Sequence, residues 1–200
     1  FTLPASDPSW ELFKDKPWPQ PRPEPSGPKA YAAMMHMVDR HVGEILDLLR
    51  ALEIERNTIV FLCGDNGGQA RFKDEAHPDG FFAPNRNPLT GKLFRGGKGN
   101  FYEGGLRVPM IARWPGHIET GVVTDHLCYF PDMMPTLAEL ARLEKPAQTD
   151  GISLVPLLLG ENAVGRKQEQ HQALFWESKG TMAVRMGHWK AIKPKRNAPF

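Results

Sequence analysis

Asp65 and Asn66 stand side by side at the end of an apolar run, in the stretch TIVFLCGDNGGQ (58–69). A carboxylate and an amide oxygen are hard donors, suited to Ca²⁺ or Mg²⁺ and poorly suited to zinc or copper. Gly64, Gly67 and Gly68 let the backbone turn tightly around such an ion. The same residues also suit an Asx-turn that merely closes a strand. Further along, FRGGKGNFYEGGLRVP (94–109) sets Lys98 between two glycine pairs. Its ammonium can project from a backbone flexible enough to wrap a small oxyanion. Taken alone, that loop also fits an ordinary solvated lysine.

Certain elements must position these groups. Tyr31, Met34, Met35, Val38, Val42, Ile45, Leu46, Leu49 and Leu52 recur at steps of three and four through YAAMMHMVDRHVGEILDLLRAL, which predicts a long amphipathic helix. TIVFLC follows, short, β-branched and apolar on both faces, as a strand buried between two layers of helices would be. A helix followed by a buried strand is an α/β unit, and in open α/β sheets ligands bind beyond the carboxyl ends of the strands, where Asp65 and Asn66 fall. VPMIARW (108–114) reads as a second buried strand and PDMMPTLAELARL (131–143) as a helix with prolines near its first turns, while SLVPLLLG (153–160) is a short apolar turn or helix. ALFWES, TMAVRM and HWKAIK (173–193) are strand candidates, the last two joined as a hairpin around Gly187. The long stretch from Gly67 to Arg107 has no periodicity, and loops of that length are commonly functional. Three regions follow: a Pro-rich extended surface segment over 1–28, an α/β part over 29–165, and the start of an antiparallel subdomain over 166–200.

Composition narrows the function classes. Twenty-five basic and 23 acidic residues leave a formal charge of +2, too small to make nucleic acid or an anionic membrane the main partner. No apolar segment approaches the roughly 20 residues of a membrane span. The two cysteines, Cys63 and Cys128, have neither disulfide-framework nor zinc-ligand spacing. His36 and His41 lie about 140° apart around a helix, so they do not make a metal pair. KPKR at 193–196 is a basic cluster that could meet a sulfated glycan, although a solvated run explains it as well.

Together, NTIVFLCGDNGG and FRGGKGNFYEGGLRVPMIARWPG resemble the sulfatase family of the alkaline phosphatase superfamily. YFPDMMPTLAELA, DGISLVPLLLG and ALFWES with MAVRMGHWKAIKP are similar to further segments of that family, so the resemblance runs from about residue 29 to 194. It implies an α/β sandwich of alkaline phosphatase type, of which this chain is the C-terminal half, followed by a small antiparallel subdomain. It implies that Asp65 and Asn66 are two ligands of a divalent cation, usually Ca²⁺ and less often Mg²⁺, and that Lys98 contacts a sulfate oxygen. Glu103 and Arg107 would brace the loop as a charge pair. The implied activity is sulfuric ester hydrolysis on a sulfated small molecule or glycan, and the implied compartment is secreted, periplasmic or lysosomal.

The family's nucleophile, a formylglycine made within a C-x-P-S-R type motif, has no counterpart here, nor does its paired-aspartate strand. Calcium takes roughly six to eight oxygens, more than Asp65 and Asn66 can offer. The chain is therefore expected to be a fragment, inactive alone, whose partner is the missing N-terminal half. Rival readings are a phosphatase or phosphonate hydrolase of the same superfamily, and a non-catalytic binding fragment.

Overall fold

A computed structural model describes residues 3–17, 27–69, 75, 78, 86–144 and 146–194. The chain divides into two compact units, one of Phe1–Glu55 with Cys63–Pro109 and the other of Arg56–Leu62 with Met110–Phe200.

In the first unit, helix α1 spans Pro28–Ala51. Pro28 sits in its first turn, where the missing N–H has no helical partner to lose. The helix ends in a Schellman arrangement: the Ile54 N–H reaches the Leu49 carbonyl, the Glu53 N–H reaches that of Arg50, and Glu53 takes a left-handed φ of 59°. The N-terminal segment packs on α1 through a short turn, Pro8–Trp10. Asp7 caps that turn by accepting from the Ser9 N–H at 2.8 Å, and the buried Ser9 hydroxyl lies 3.0 Å from His36 Nδ1. Leu3, Ala30 and Ala33 are buried here, whereas Tyr31, Met35, Val38 and Ile45 are exposed. Most of the proline run at 17–25 falls outside the described residues.

Strand β1 (Val60–Cys63) and strand β2 (Met110–Arg113) form a two-stranded sheet. The sequence places both strands between helical layers, but Leu62 is 43% exposed and Ile111 60%. A two-stranded sheet is too narrow to carry a helical layer over each face. In chain order between the two strands, helix α2 of the first unit is a single turn, Glu103–Leu106, in a stretch without any helical period.

The second unit centres on a buried carboxylate. Helix α3 (Met133–Leu140) begins at Asp132, whose side chain accepts from the N–H groups of Tyr129 and Ile152, both at 2.9 Å. Asp132 is fully buried, and His171 Nε2 lies 2.8 Å from it. Thr136, also buried, donates its hydroxyl to the Asp132 carbonyl and accepts from Leu154 N–H, which ties α3 to helix α4 (Val155–Leu159). Helix α5 (Glu161–Val164) ends at Gly165 in the left-handed region.

A three-stranded antiparallel sheet completes the unit: β3 (Leu174–Ser178), β4 (Thr181–Met186) and β5 (Trp189–Lys193), in that order. Lys179 and Gly180 both have positive φ, as a two-residue type I′ hairpin needs. Ser178 pairs with Thr181 and Met186 with Trp189, so both hairpins are tight. Leu174 and Ala183 face inward, while Phe175 and Trp189, on the opposite face, are 69% and 85% exposed.

Candidate functional site

The candidate site lies within the first unit, where three backbone segments meet. The turn after β1 carries Asp65 and Asn66, the first exposed and the second half-buried, and continues into buried Gly67. The Gly67 N–H donates to the Gly105 carbonyl at 2.9 Å, which ties the turn to α2. The Lys98 N–H donates to the Gly68 carbonyl at 3.0 Å, which ties the turn to the lysine loop. The Gly104 N–H donates to the Arg95 carbonyl at 2.8 Å, closing the triangle between loop and helix. Lys98 thus sits beside the Asp65–Asn66 turn, and its side chain is exposed.

Side chains brace the same loop. Asn100 accepts from the Tyr102 N–H at 3.1 Å. Arg107 pairs with Glu103 one turn away and places its guanidinium 5.1 Å from the centre of the Phe94 ring. Arg95 lies over Tyr102 at 4.0 Å. The Glu103–Arg107 pair expected from the sequence is therefore present.

Asp65 and Asn66 present oxygens of the kind a hard dication takes. Among the described residues, no group of three or more His, Cys, Asp or Glu side chains could hold a metal ion. The chemistry of these two donors fits part of a Ca²⁺ shell, and the remaining ligands would have to come from other groups.

Two features escaped the sequence reading. One is the passage of α2 between the turn and the lysine loop, signalled only by the glycine pair in EGGL. The other is the Asp132 cluster of the second unit, whose members are spread from Tyr129 to His171 with no local pattern. Around it, burial lowers the pKa of His126 and raises that of the Cys128 thiol. Trp176, in β3, meets Tyr129 edge-on at 6.3 Å and has the Lys190 ammonium over its ring at 5.2 Å.

A sulfatase family model matches residues 8–143, and one described as N-sulphoglucosamine sulphohydrolase, C-terminal, matches 96–196. Bovine (Bos taurus) arylsulfatase A is 35% identical over 175 residues, covering 84% of this chain and 31% of the relative. Among solved structures, the PsFucS1 sulfatase from Pseudoalteromonas sp. is 31% identical with a TM-score of 0.60, over 80% of this chain and 29% of that one. Ps i-CgsB in complex with k-i-k-neocarrahexaose is 27% identical with a TM-score of 0.62, over 92% and 37%. The chain spans about a quarter to a third of the curated relatives it matches, 24% and 31% for the first two. A fold fragment of helices and small sheets, with the Asp-Asn turn sewn to a glycine-flanked lysine and a family match over most of its length, belongs to the sulfatase family of the alkaline phosphatase superfamily.

Proposed function

We propose that the chain is part of a sulfuric ester hydrolase in which Asp65 and Asn66 hold a divalent cation and Lys98 contacts the sulfate group. The observation that carries this reading is the 3.0 Å hydrogen bond from the Lys98 N–H to the Gly68 carbonyl, which runs the lysine loop alongside the two oxygen donors. The proposed frame is the C-terminal half of an alkaline phosphatase-type α/β sandwich over 29–165. Residues 166–194 then start an antiparallel subdomain, and 3–17 strap onto α1 with Leu3 and Ser9 buried.

Calcium suits the site better than magnesium, because an Asp and an Asn on a glycine-rich turn form an adaptable oxygen set rather than a strict octahedron. When bound, the ion supplies positive charge at the sulfate oxygens. A sulfate ester carries negative charge on its terminal oxygens, and breaking the ester S–O bond develops more on the leaving oxygen. An ammonium held at a fixed place by its loop stabilises that charge without having to reorganise. The nucleophile is proposed to be the family's formylglycine, contributed by the N-terminal half, since neither Cys63 nor Cys128 lies in the required motif. A sulfated small molecule or glycan is the proposed substrate, and the oligosaccharide complex of Ps i-CgsB supports a glycan.

The test is Lys98→Ala in an enzyme that includes the N-terminal half. Aryl sulfate turnover is expected to fall about 10²-fold or more, as when other preorganised charge contacts are removed. Unchanged turnover would remove Lys98 from the chemistry.

A further inference from the structure

We propose that Gly104 is a positioning residue: its bare backbone is the spacer that sets the separation between the lysine loop and the Asp65–Asn66 turn. The chemical importance of that separation rests on the reading of Lys98, Asp65 and Asn66 given above, but the spacing itself does not.

Gly104 is buried and pressed from two sides. On one side lies the lysine loop. A Cβ added at Gly104 would stand 2.5 Å from the Gly96 carbonyl oxygen and 2.8 Å from those of both Arg95 and Phe94. These are rigid backbone atoms, held by the bond from the Gly104 N–H to Arg95, so they cannot swing aside as a side-chain tip could. On the other side lies the turn. A Cβ added at Gly67 would overlap the Gly104 carbonyl group itself. Two strands of chain therefore touch Gly104 on opposite faces, with no side chain between them. The Lys98–Gly68 bond closes the circuit, since it spans the same two segments beside that contact.

Gly104 has a helical backbone, and only glycines such as Gly96 and Gly99 in this region have positive φ. Alanine at 104 is thus conformationally allowed and fails on space alone. Alanine at Gly67 pushes the same two segments apart from the opposite side. Both substitutions must lengthen the Lys98–Gly68 bond, although neither residue takes part in it. Gly43, in the middle of α1, offers a control, because a Cβ there meets nothing within 4 Å.

The experiment is NMR on the 200-residue chain and its Gly104→Ala, Gly67→Ala and Gly43→Ala variants. It follows the scalar coupling across the Lys98–Gly68 hydrogen bond and the hydrogen exchange of the Lys98 amide. Expected for both Gly104→Ala and Gly67→Ala is loss of the coupling and exchange of Lys98 faster by about tenfold or more, with amides of α1 and of β3–β5 unchanged. Gly43→Ala should leave the coupling intact. Retention of the coupling in Gly104→Ala overturns the proposal, and so does a general loss of protection reaching α1 and the three-stranded sheet. The readout involves no cation and no turnover, so a failure of the sulfatase chemistry would leave it standing.

Discussion

The carboxylate of Asp132 and the imidazole of His171 form a buried pair at 2.8 Å, with side-chain exposures of 0% and 5%. The carboxylate also accepts two backbone N–H groups, so its lone pairs are well occupied. Removing the carboxylate leaves the His171 ring and the Tyr129 and Ile152 N–H groups without their acceptor, and each buried polar group so orphaned costs about 1–3 kcal/mol. For a chain of this size the sum is a fall of roughly 10 °C in Tm. Thermal unfolding of Asp132→Ala followed by circular dichroism checks it, and a shift within 2 °C, about the effect of an ordinary surface change, would refute it.

His126 sets a direction for the pH dependence of stability. Burial is the main cause of its lowered pKa, partly opposed by the nearby Asp132 carboxylate, and among the described residues its Nε2 has no hydrogen-bond partner. A histidine whose folded pKa lies below its unfolded value of about 6.5 binds its proton more readily when unfolded. Its contribution is therefore present above that value and is lost as pH falls through about 6.5 toward the folded pKa. Tm should decline between pH 7.5 and 5.5, and His126→Gln should flatten part of that decline. An identical pH profile in the variant would contradict this.

The two cysteines should react in a fixed order. Cys63 is exposed, whereas Cys128 is half-buried and its thiol is pushed up chiefly by burial, with the Asp132 charge adding to the effect. Since the thiolate is the reactive form, iodoacetamide at pH 8 should label Cys63 well before Cys128. Peptide mass spectrometry over a time course reads the order, and equal rates would be evidence against it.

Calcium affinity of the chain by itself should be low. Asp65 and Asn66 offer few of the roughly six to eight oxygens that the ion takes, so Kd should be weaker than about 10⁻³ M. Isothermal titration with CaCl₂ measures it. Micromolar affinity would mean that further ligands exist within these 200 residues.

Much of this is legible in the sequence, and the reasons differ by element. α1 was readable because its apolar residues keep a helical period over many turns. The β4–β5 hairpin was readable because Gly187 separates two short β-branched and aromatic runs. α2 was not: EGGL is a poor helix by propensity, and its single turn is held by contacts to Arg95 and Gly67 rather than by its own residues. The exposure of β1 and β2 fits the expectation of a fragment: an apolar run reports what a strand is adapted to contact, and the described residues supply just two strands of such a sheet. In the site, residue type and spacing single out Asp65, Asn66 and Lys98 as the candidates on which the proposed chemistry rests. Residue type and spacing alone do not bring Lys98 to the Asp-Asn turn; the family resemblance implies that closeness, and the backbone bond from Lys98 to Gly68 brings the two segments together. Asp132 and His171 stand 39 positions apart, and no local pattern announces such a pair.

Trp189 stands 85% exposed on the outer face of β5, beside Met186 of β4. An indole in that position emits at the red end of the tryptophan range and is open to collisional quenching by iodide. With the other four tryptophans replaced by phenylalanine, this ring becomes a fluorescent gauge of that face: any surface that settles over β4 and β5 must shield it, shift its emission to the blue and blunt the quencher.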